Sequence, residues 1–191
     1  MKSLLKHKSN LFLALAMLLL AVLPTACRNT SSTSVKTDAA VAEQNKAVLP
    51  EVPSTPVLDN AGLFAEADVQ AIVKKCDELN EKNLAQVAVL TVDDLQGLPI
   101  EDYAKQVANK WGVGHKETND GITFVIKPKT ESSEGQLRIA TGLGMEKILT
   151  DDMCKQIIDE TMVPMLKENR YGDAVTNALD RIKTILTTTA Q

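Results

Sequence analysis

Residues 121–144 read GITFVIKPKTESSEGQLRIATGLG, and this stretch decides the fold. Two runs rich in apolar and β-branched residues, 121–127 and 136–140, flank a polar segment that contains Pro128 and Gly135. Such a pattern predicts two strands joined as a β-hairpin. Strands joined in this way run antiparallel, so the second strand turns back beside the first.

One strand and two helices are predicted before the hairpin. Residues 86–92 read QVAVLTV, a short β-branched run that is typical of a buried strand. Residues 66–81 carry apolar side chains at helical spacing, and a second helix is expected from Pro99 to Trp111. If that second helix is a crossover, the strands on either side of it are parallel.

Two helices are predicted after the hairpin. Thr150 can cap a long helix that Pro164 should kink or split, and a last helix runs from Asp173 to about Leu186. The order is therefore α-β-α-β-β-α-α. It predicts an α/β fold with a small mixed β-sheet sandwiched between α-helices.

The N-terminal segment has the pattern of an export signal. Basic residues precede the apolar run 11–22, which is too short to span a bilayer of about 30 Å. The sequence Leu23-Pro24-Thr25-Ala26-Cys27 resembles a bacterial lipobox, with Pro24 where an aliphatic residue is usual, and this resemblance implies an acylated Cys27 at the mature N-terminus. Secretion with a free Cys27, or an uncleaved signal anchor, are the alternatives.

Three regions follow from this pattern. Residues 1–26 form a lipoprotein signal peptide, residues 27–56 a flexible tether without aromatic side chains, and residues 57–191 the folded domain. We expect a bacterial cell-envelope protein that is anchored in the lipid bilayer through Cys27 and faces the periplasm. After cleavage the chain holds 18 Lys and Arg against 25 Asp and Glu. This acidic balance, with 3% aromatic residues, argues against nucleic acid as a partner.

Several short segments, in this order and spacing, resemble the TPM domain family. They are 57–64, 86–92, 111–114, 119–121, 137–146, Pro164 and 171–174. The family includes a thylakoid lumen protein reported as an acid phosphatase, photosystem II repair factors, acetylcholine-receptor modulators and membrane-attached bacterial proteins. The resemblance therefore implies a TPM domain over residues 57–191. Because the plant member resembles a calcium-associated protein, the resemblance also implies that this chain binds Ca²⁺.

Acidic residues supply the candidate metal site. The predicted topology places Asp120 and Glu146 at the same end of the sheet, beside Gly142 and Gly144, where their oxygens can help to bind Ca²⁺. Asp59 also matches the family pattern, but the first predicted helix, which follows Asp59, starts at the opposite end of the sheet from Asp120. The alternatives are that Asp120 belongs to a turn, that Glu146 is an exposed helix residue, and that Asp59 forms an Asx-turn.

Other reactive side chains have plainer expected roles. Arg138 can hold an anion near Gly142, or lie on a solvated strand face. Cys76 and Cys154 fall on apolar helix faces and are expected in the core, with a mutual disulfide as the alternative. His115 has no partner in the sequence and is expected to be an ordinary loop residue.

The sequence leaves two functions open. The first is a binding or scaffold module that engages a membrane or periplasmic protein. The alternative is a weak divalent-metal-dependent acid phosphatase, in which a cation held by Asp120 and Glu146 activates water. Nothing in the sequence identifies an activated covalent nucleophile.

Overall fold

The computed structural model describes residues 47–189. The signal peptide, Cys27 and the tether up to residue 46 lie outside the described residues. The elements in chain order are β1 Val57–Asp59, α1 Glu66–Glu81, β2 Gln86–Thr91, α2 Ile100–Trp111, β3 Gly121–Lys127, β4 Gln136–Thr141, α3 Asp151–Ile157, a π-helical segment Ile158–Met162, α4 Val163–Leu166 and α5 Tyr171–Thr189. No helix among these residues is both long enough and apolar enough to span a bilayer.

The sheet is mixed, as the sequence predicts. Its strand order is β1-β2-β3-β4, in which β1, β2 and β3 are parallel and β4 runs antiparallel to β3. The strand β1 is an addition to the elements predicted from the sequence. It has three residues, which is too short for an alternating pattern to be recognised.

Helices cover both faces of the sheet. On one face Ile122, Phe124 and Ile126 join a core cluster that also contains buried residues of α1 and α5. On the other face Leu90 and Val125 pack with the buried side chains of α2. Because successive strand residues point to opposite faces, β3 contributes alternate side chains to the two clusters.

Pro164 interrupts the helix that begins after Thr150. The chain passes from α3 through the π-helical segment Ile158–Met162 into α4. Proline has no backbone N–H to donate to a carbonyl one turn earlier, so the regular α-helical bonding cannot continue through this position. The predicted split is confirmed, and its form is a π-helical turn.

Residues 47–56 pack against α2 and the loop before it. The Trp111 indole Nε1 donates to the Pro50 carbonyl oxygen at 3.1 Å, and Lys110 Nζ donates to the Leu49 carbonyl oxygen at 2.9 Å. Val48 exchanges two hydrogen bonds with the Gln96 side-chain amide. The flexible tether was expected to reach residue 56, whereas the structure shows residues 48–50 bonded to α2 and to Gln96.

Candidate functional site

Loops rich in glycine meet at the N-terminal end of β3. An added Cβ at Gly121 would overlap the Val113 carbonyl oxygen, and one at Gly144 would overlap the Thr118 carbonyl oxygen. A Cβ at Gly114 would lie 2.6 Å from the Gly121 backbone nitrogen. The segments 112–114, 118–121 and 142–144 therefore pack backbone against backbone, which only glycine allows at these positions.

These loops border a cleft of about 400 Å³, which we call the glycine cleft. Its polar lining residues come from α2, β3, β4 and the loops that follow α2 and β4: Lys105, Asn109, Asn119, Thr123, Thr141 and Glu146. Among the side-chain hydrogen bonds and ion pairs formed between residues 47–189, none involves these six. Leu143 stands at the cleft and is 74% exposed.

Thr123 is the most informative of these residues. It is 1% exposed, yet its hydroxyl has no partner among the described side chains and backbone groups. A buried hydroxyl without a hydrogen bond is costly, and in this chain no fully enclosed side-chain N or O atom of the described residues lacks a partner. The hydroxyl of Thr123 therefore opens on the glycine cleft, where it can meet solvent or a ligand.

Asp120 lies at the same end of the sheet but on the other face. Asp120 lies two residues before Ile122, so its side chain points to the same face as Ile122, whereas Gly121 and Thr123 face the glycine cleft. The Asp120 carboxylate instead lines a separate cavity of about 370 Å³, whose other walls include Asn83 and His115. The structure therefore does not bring the Asp120 and Glu146 carboxylates into one site.

His115 is the partner of Asp120. The His115 backbone N–H donates to Asp120 Oδ1 at 2.8 Å, and its ring Nδ1 lies 3.0 Å from both carboxylate oxygens. Burial by itself would raise the pKa of Asp120, but hydrogen bonds from His115 and Thr118 outweigh that effect and hold the pKa below its ordinary value. His115 lies in a loop, as expected, but the expectation that it has no partner is wrong. The spacing of five residues around a turn was the available signal.

Asp59 has a structural place at the opposite end of the sheet. Its two carboxylate oxygens accept from the Leu63 backbone N–H at 3.0 Å and the Phe64 backbone N–H at 2.9 Å, and one of them also accepts from the Thr91 hydroxyl. Thr91 is the β2 residue that pairs with Asp59, and it lies five residues along β2 from Gln86. The Gln86 backbone N–H in turn donates to the Asp120 carbonyl oxygen. At about 3.3 Å per strand residue, the two ends are roughly 16 Å apart.

The donor set expected for Ca²⁺ does not assemble in the described residues. Asp120 is paired with His115, Asp59 already accepts three hydrogen bonds, and Glu146 faces the glycine cleft without a second carboxylate. No group of three or more His, Cys, Asp or Glu within residues 47–189 is arranged to hold a metal ion. Since Ca²⁺ takes six to eight oxygen ligands, these residues do not fit the expected site.

The family model TPM_phosphatase, described as the TPM domain, matches residues 57–185. The chain belongs to the TPM domain family. No curated protein gives a significant match to the sequence.

Two solved structures share the fold of the TPM domain. The N-terminal domain of a P. gingivalis protein, solved by NMR, has a TM-score of 0.63 and 23% identity, covering 74% of this chain and 94% of that one. The N-terminal domain of the cg2496 protein from Corynebacterium glutamicum has a TM-score of 0.54 and 15% identity, covering 72% and 84% respectively. At these identities the likeness shows the fold alone.

Arg138 is held in an ion pair, and the two cysteines of the TPM domain are buried. Arg138 Nη2 lies 2.6 Å from Asp151 Oδ1, so its charge is already paired, and it is not among the residues that line the glycine cleft. Cys76 and Cys154 are both buried free thiols, not a disulfide. Burial raises the pKa of Cys76 to about 12 and that of Cys154 to about 11, so neither is a ready nucleophile at neutral pH.

Proposed function

We propose that the chain is a cell-envelope lipoprotein, tethered to the bilayer by acylated Cys27, whose TPM domain is a binding or scaffold module. Its partner is a membrane or periplasmic protein that contacts the glycine cleft. The observation that carries this proposal is the set of polar side chains that line the cleft without forming hydrogen bonds or ion pairs among the described residues.

The composition of the cleft suits recognition of a polar segment. Lys105 offers a cation, Glu146 an anion, and Asn109 and Thr141 can both donate and accept. The loops beneath them are packed backbone against backbone, so the floor of the cleft is fixed before a partner arrives. Such preorganisation lowers the entropic cost of binding. Leu143 adds an exposed apolar side chain at the same surface.

The cleft also supports binding over covalent catalysis. A covalent phosphatase needs an activated nucleophile beside its substrate site. Neither Cys76 nor Cys154 lines the glycine cleft, and burial raises the pKa of both thiols. The hydroxyls of Thr123 and Thr141 have no histidine beside them among the residues that line the cleft.

Photocrosslinking in cells tests the proposed surface. A photoreactive amino acid replaces Leu143 at the cleft, and in a matched control it replaces Thr184, an exposed residue of α5. We expect a discrete crosslinked product from position 143 that is absent at position 184 and falls when Lys105→Ala and Asn109→Ala are added. Equal products at both positions would contradict the proposal.

The lipid anchor is tested separately. Cys27→Ser should block incorporation of labelled fatty acid and leave a soluble form or an uncleaved precursor. If the variant still takes up the label, the anchor is not at Cys27. The crosslinking experiment is independent of this result, because it reports on the TPM domain alone.

A second candidate function is phosphoester hydrolysis, which the His115 and Asp120 pair favours. A carboxylate that accepts from Nδ1–H leaves Nε2 free to take a proton from water, the role of a general base. The weak divalent-metal-dependent form, with Ca²⁺ or Mg²⁺ held by Asp120 and Glu146, is less well supported because the two carboxylates lie on opposite faces of the sheet. The metal-dependent form is the acid phosphatase activity that the family resemblance implies.

One set of variants separates these mechanisms. Release of p-nitrophenol from its phosphate ester is measured with and without Ca²⁺ or Mg²⁺, alongside calorimetric titration of the metal. Loss of turnover in His115→Asn but not in Glu146→Gln would support the general base. Saturable metal binding lost in both Asp120→Asn and Glu146→Gln would support the metal site. Turnover no faster than buffer leaves the binding module as the function of the domain.

A further inference from the structure

The start of β2 extends past the start of β1 at the edge of the sheet. β1 pairs with β2 only from Val89 onward, and the Val89 backbone N–H donates to the Pro56 carbonyl oxygen at 2.8 Å. On the other side of β2, the Gln86 backbone N–H donates to the carbonyl oxygen of the residue before β3. Because the backbone groups of successive strand residues point to alternate sides, the N–H and C=O of Val87 face the free edge.

Proline leaves the Val87 backbone unpaired. In this parallel register the N–H of residue 56 would donate to the Val87 carbonyl oxygen, but Pro56 has no N–H. Within residues 47–189, neither the N–H nor the C=O of Val87 forms a hydrogen bond. Val87 is nevertheless only 4% exposed. A buried backbone group without a partner is costly, so these two groups favour an occupant that can pair with both.

Val87 lines a pocket of about 260 Å³, which we call the edge pocket. The walls come from residues 52–56, α1, the start of β2 and the end of α2, and they include Val52, Ser54, Asp77, Asn80 and Trp111. Asp77 is the one charged residue of the lining, and among the described residues its carboxylate forms no ion pair or hydrogen bond. Val52 is 56% exposed and adds an apolar contact at the rim. The pocket therefore combines a free backbone donor and acceptor with one negative charge.

The edge pocket is distinct from the glycine cleft. Val113, in the loop after α2, is the one residue that lines both. The glycine cleft takes its strand residues from β3 and β4, whereas the edge pocket takes its strand residues from β2. The edge pocket is therefore a second surface, and not part of the one proposed above.

We propose that the edge pocket binds a short extended peptide segment with a basic side chain, and that this segment pairs with β2 at Val87. An extended peptide carries a C=O and an N–H that complement the two free groups of Val87, as in other cases of strand addition to a sheet edge. A single residue opposite Val87 in an antiparallel orientation exchanges both hydrogen bonds with it. The basic side chain lies toward Asp77, and the apolar side chains of the segment lie against Val52 and Trp111.

Amide NMR spectra of the isotope-labelled purified chain test the proposal. The probe is the capped tripeptide valine-lysine-valine, compared with the same peptide methylated at its backbone nitrogens and with capped valine-glutamate-valine. Asp77→Asn removes the charge of the pocket, and Ser54→Phe fills the pocket from an exposed position. The matched control is Asp102→Asn, which changes an exposed helical aspartate that does not line the pocket.

We expect one saturable site for the lysine peptide, with the shifted amide resonances concentrated at residues 86–88. The methylated peptide should bind roughly tenfold more weakly, because it cannot donate to the Val87 carbonyl oxygen. Asp77→Asn should weaken binding of the lysine peptide roughly threefold. Ser54→Phe should abolish this binding, and Asp102→Asn should leave it unchanged.

Four results would overturn the proposal. They are equal affinity for the methylated peptide, equal affinity for the glutamate peptide, undiminished binding by a folded Ser54→Phe chain, and absence of saturable binding. Shifts confined to residues around the glycine cleft would also overturn it, and would assign the peptide to that site. A Val87 resonance that moves with protein concentration alone would overturn it as well, because the occupant would then be a second copy of the chain.

Discussion

The two ends of the sheet use acidic side chains in opposite ways. At the C-terminal end of β1, Asp59 accepts two backbone N–H groups and the Thr91 hydroxyl, so its carboxylate holds the entry to α1. Beyond the end of β4, Glu146 lines the glycine cleft and forms no hydrogen bond or ion pair with described side chains. Both residues match the family pattern. The family pattern therefore contains residues that stabilise the fold, such as Asp59, as well as residues whose side chains form no bond within the described domain, such as Glu146.

The largest effect is expected from the packed glycines. Gly121→Ala should lower the free energy of unfolding by about 3 kcal/mol, because the new methyl overlaps the Val113 carbonyl oxygen and forces two loops apart. Urea denaturation followed by circular dichroism measures the loss. Because the variant disturbs the floor of the glycine cleft, it should also reduce the crosslink from position 143.

Gly62→Ala is the matched control at the other end of the sheet. Gly62 has a φ of +63°, and an added Cβ there would meet no atom within 4 Å. Only the left-handed backbone conformation is penalised, at about 1 kcal/mol. Equal losses in the two glycine variants would show that the loops around the cleft separate freely, which would contradict the rigid floor described above.

Asp59→Ala should give the next largest loss, about 2 kcal/mol. The variant leaves the Leu63 and Phe64 backbone N–H groups without their acceptor in a part-buried segment. Thermal and urea unfolding at neutral pH measure the change. A loss below about 0.5 kcal/mol would show that solvent replaces the carboxylate, and Asp59 would again be available as a ligand.

Local patterns were sufficient for most of the fold. The run 86–92 and the hairpin around 128–135 have unambiguous strand and turn composition, and both are confirmed. The strand Val57–Asp59 was not predicted, because three residues form a strand here only by pairing with β2. The same long-range information was missing for residues 47–56, whose contacts to Trp111 and Gln96 join segments far apart in sequence.

The candidate site shows the same limit more sharply. Sequence order placed Asp120 and Glu146 at one end of the sheet, which is correct, but it did not resolve which face each side chain occupies. Face depends on strand register, and a shift of one residue reverses it. For that reason the pairing of Asp120 with His115 and the lining of the glycine cleft by Thr123 emerged only from the structure.

Asp120 should contribute a smaller, pH-dependent stability of about 1 kcal/mol. Its pKa is lowered in the folded chain, so the contribution is fully present above the ordinary aspartate pKa of about 3.9. It is lost as the pH falls through the lowered value, where the carboxylate becomes protonated. The difference in unfolding free energy between the wild type and Asp120→Asn should therefore fall as the pH drops through that lowered value and vanish in strong acid. A difference that is still present in strong acid would contradict this sign.

The smallest effects on stability are expected inside the glycine cleft. Glu146→Ala and Lys105→Ala remove exposed side chains that form no bond with described residues, so each should change the free energy of unfolding by less than about 0.5 kcal/mol. Both variants should nevertheless reduce the crosslink formed from position 143, since they remove the two charges that the cleft offers to a partner. At this end of the sheet, substitutions should therefore reduce binding with little change in stability. Asp59→Ala, in contrast, lowers stability and leaves the crosslink of the folded chain intact. A crosslink that survives both charge removals would place the partner on the apolar contact of Leu143 alone.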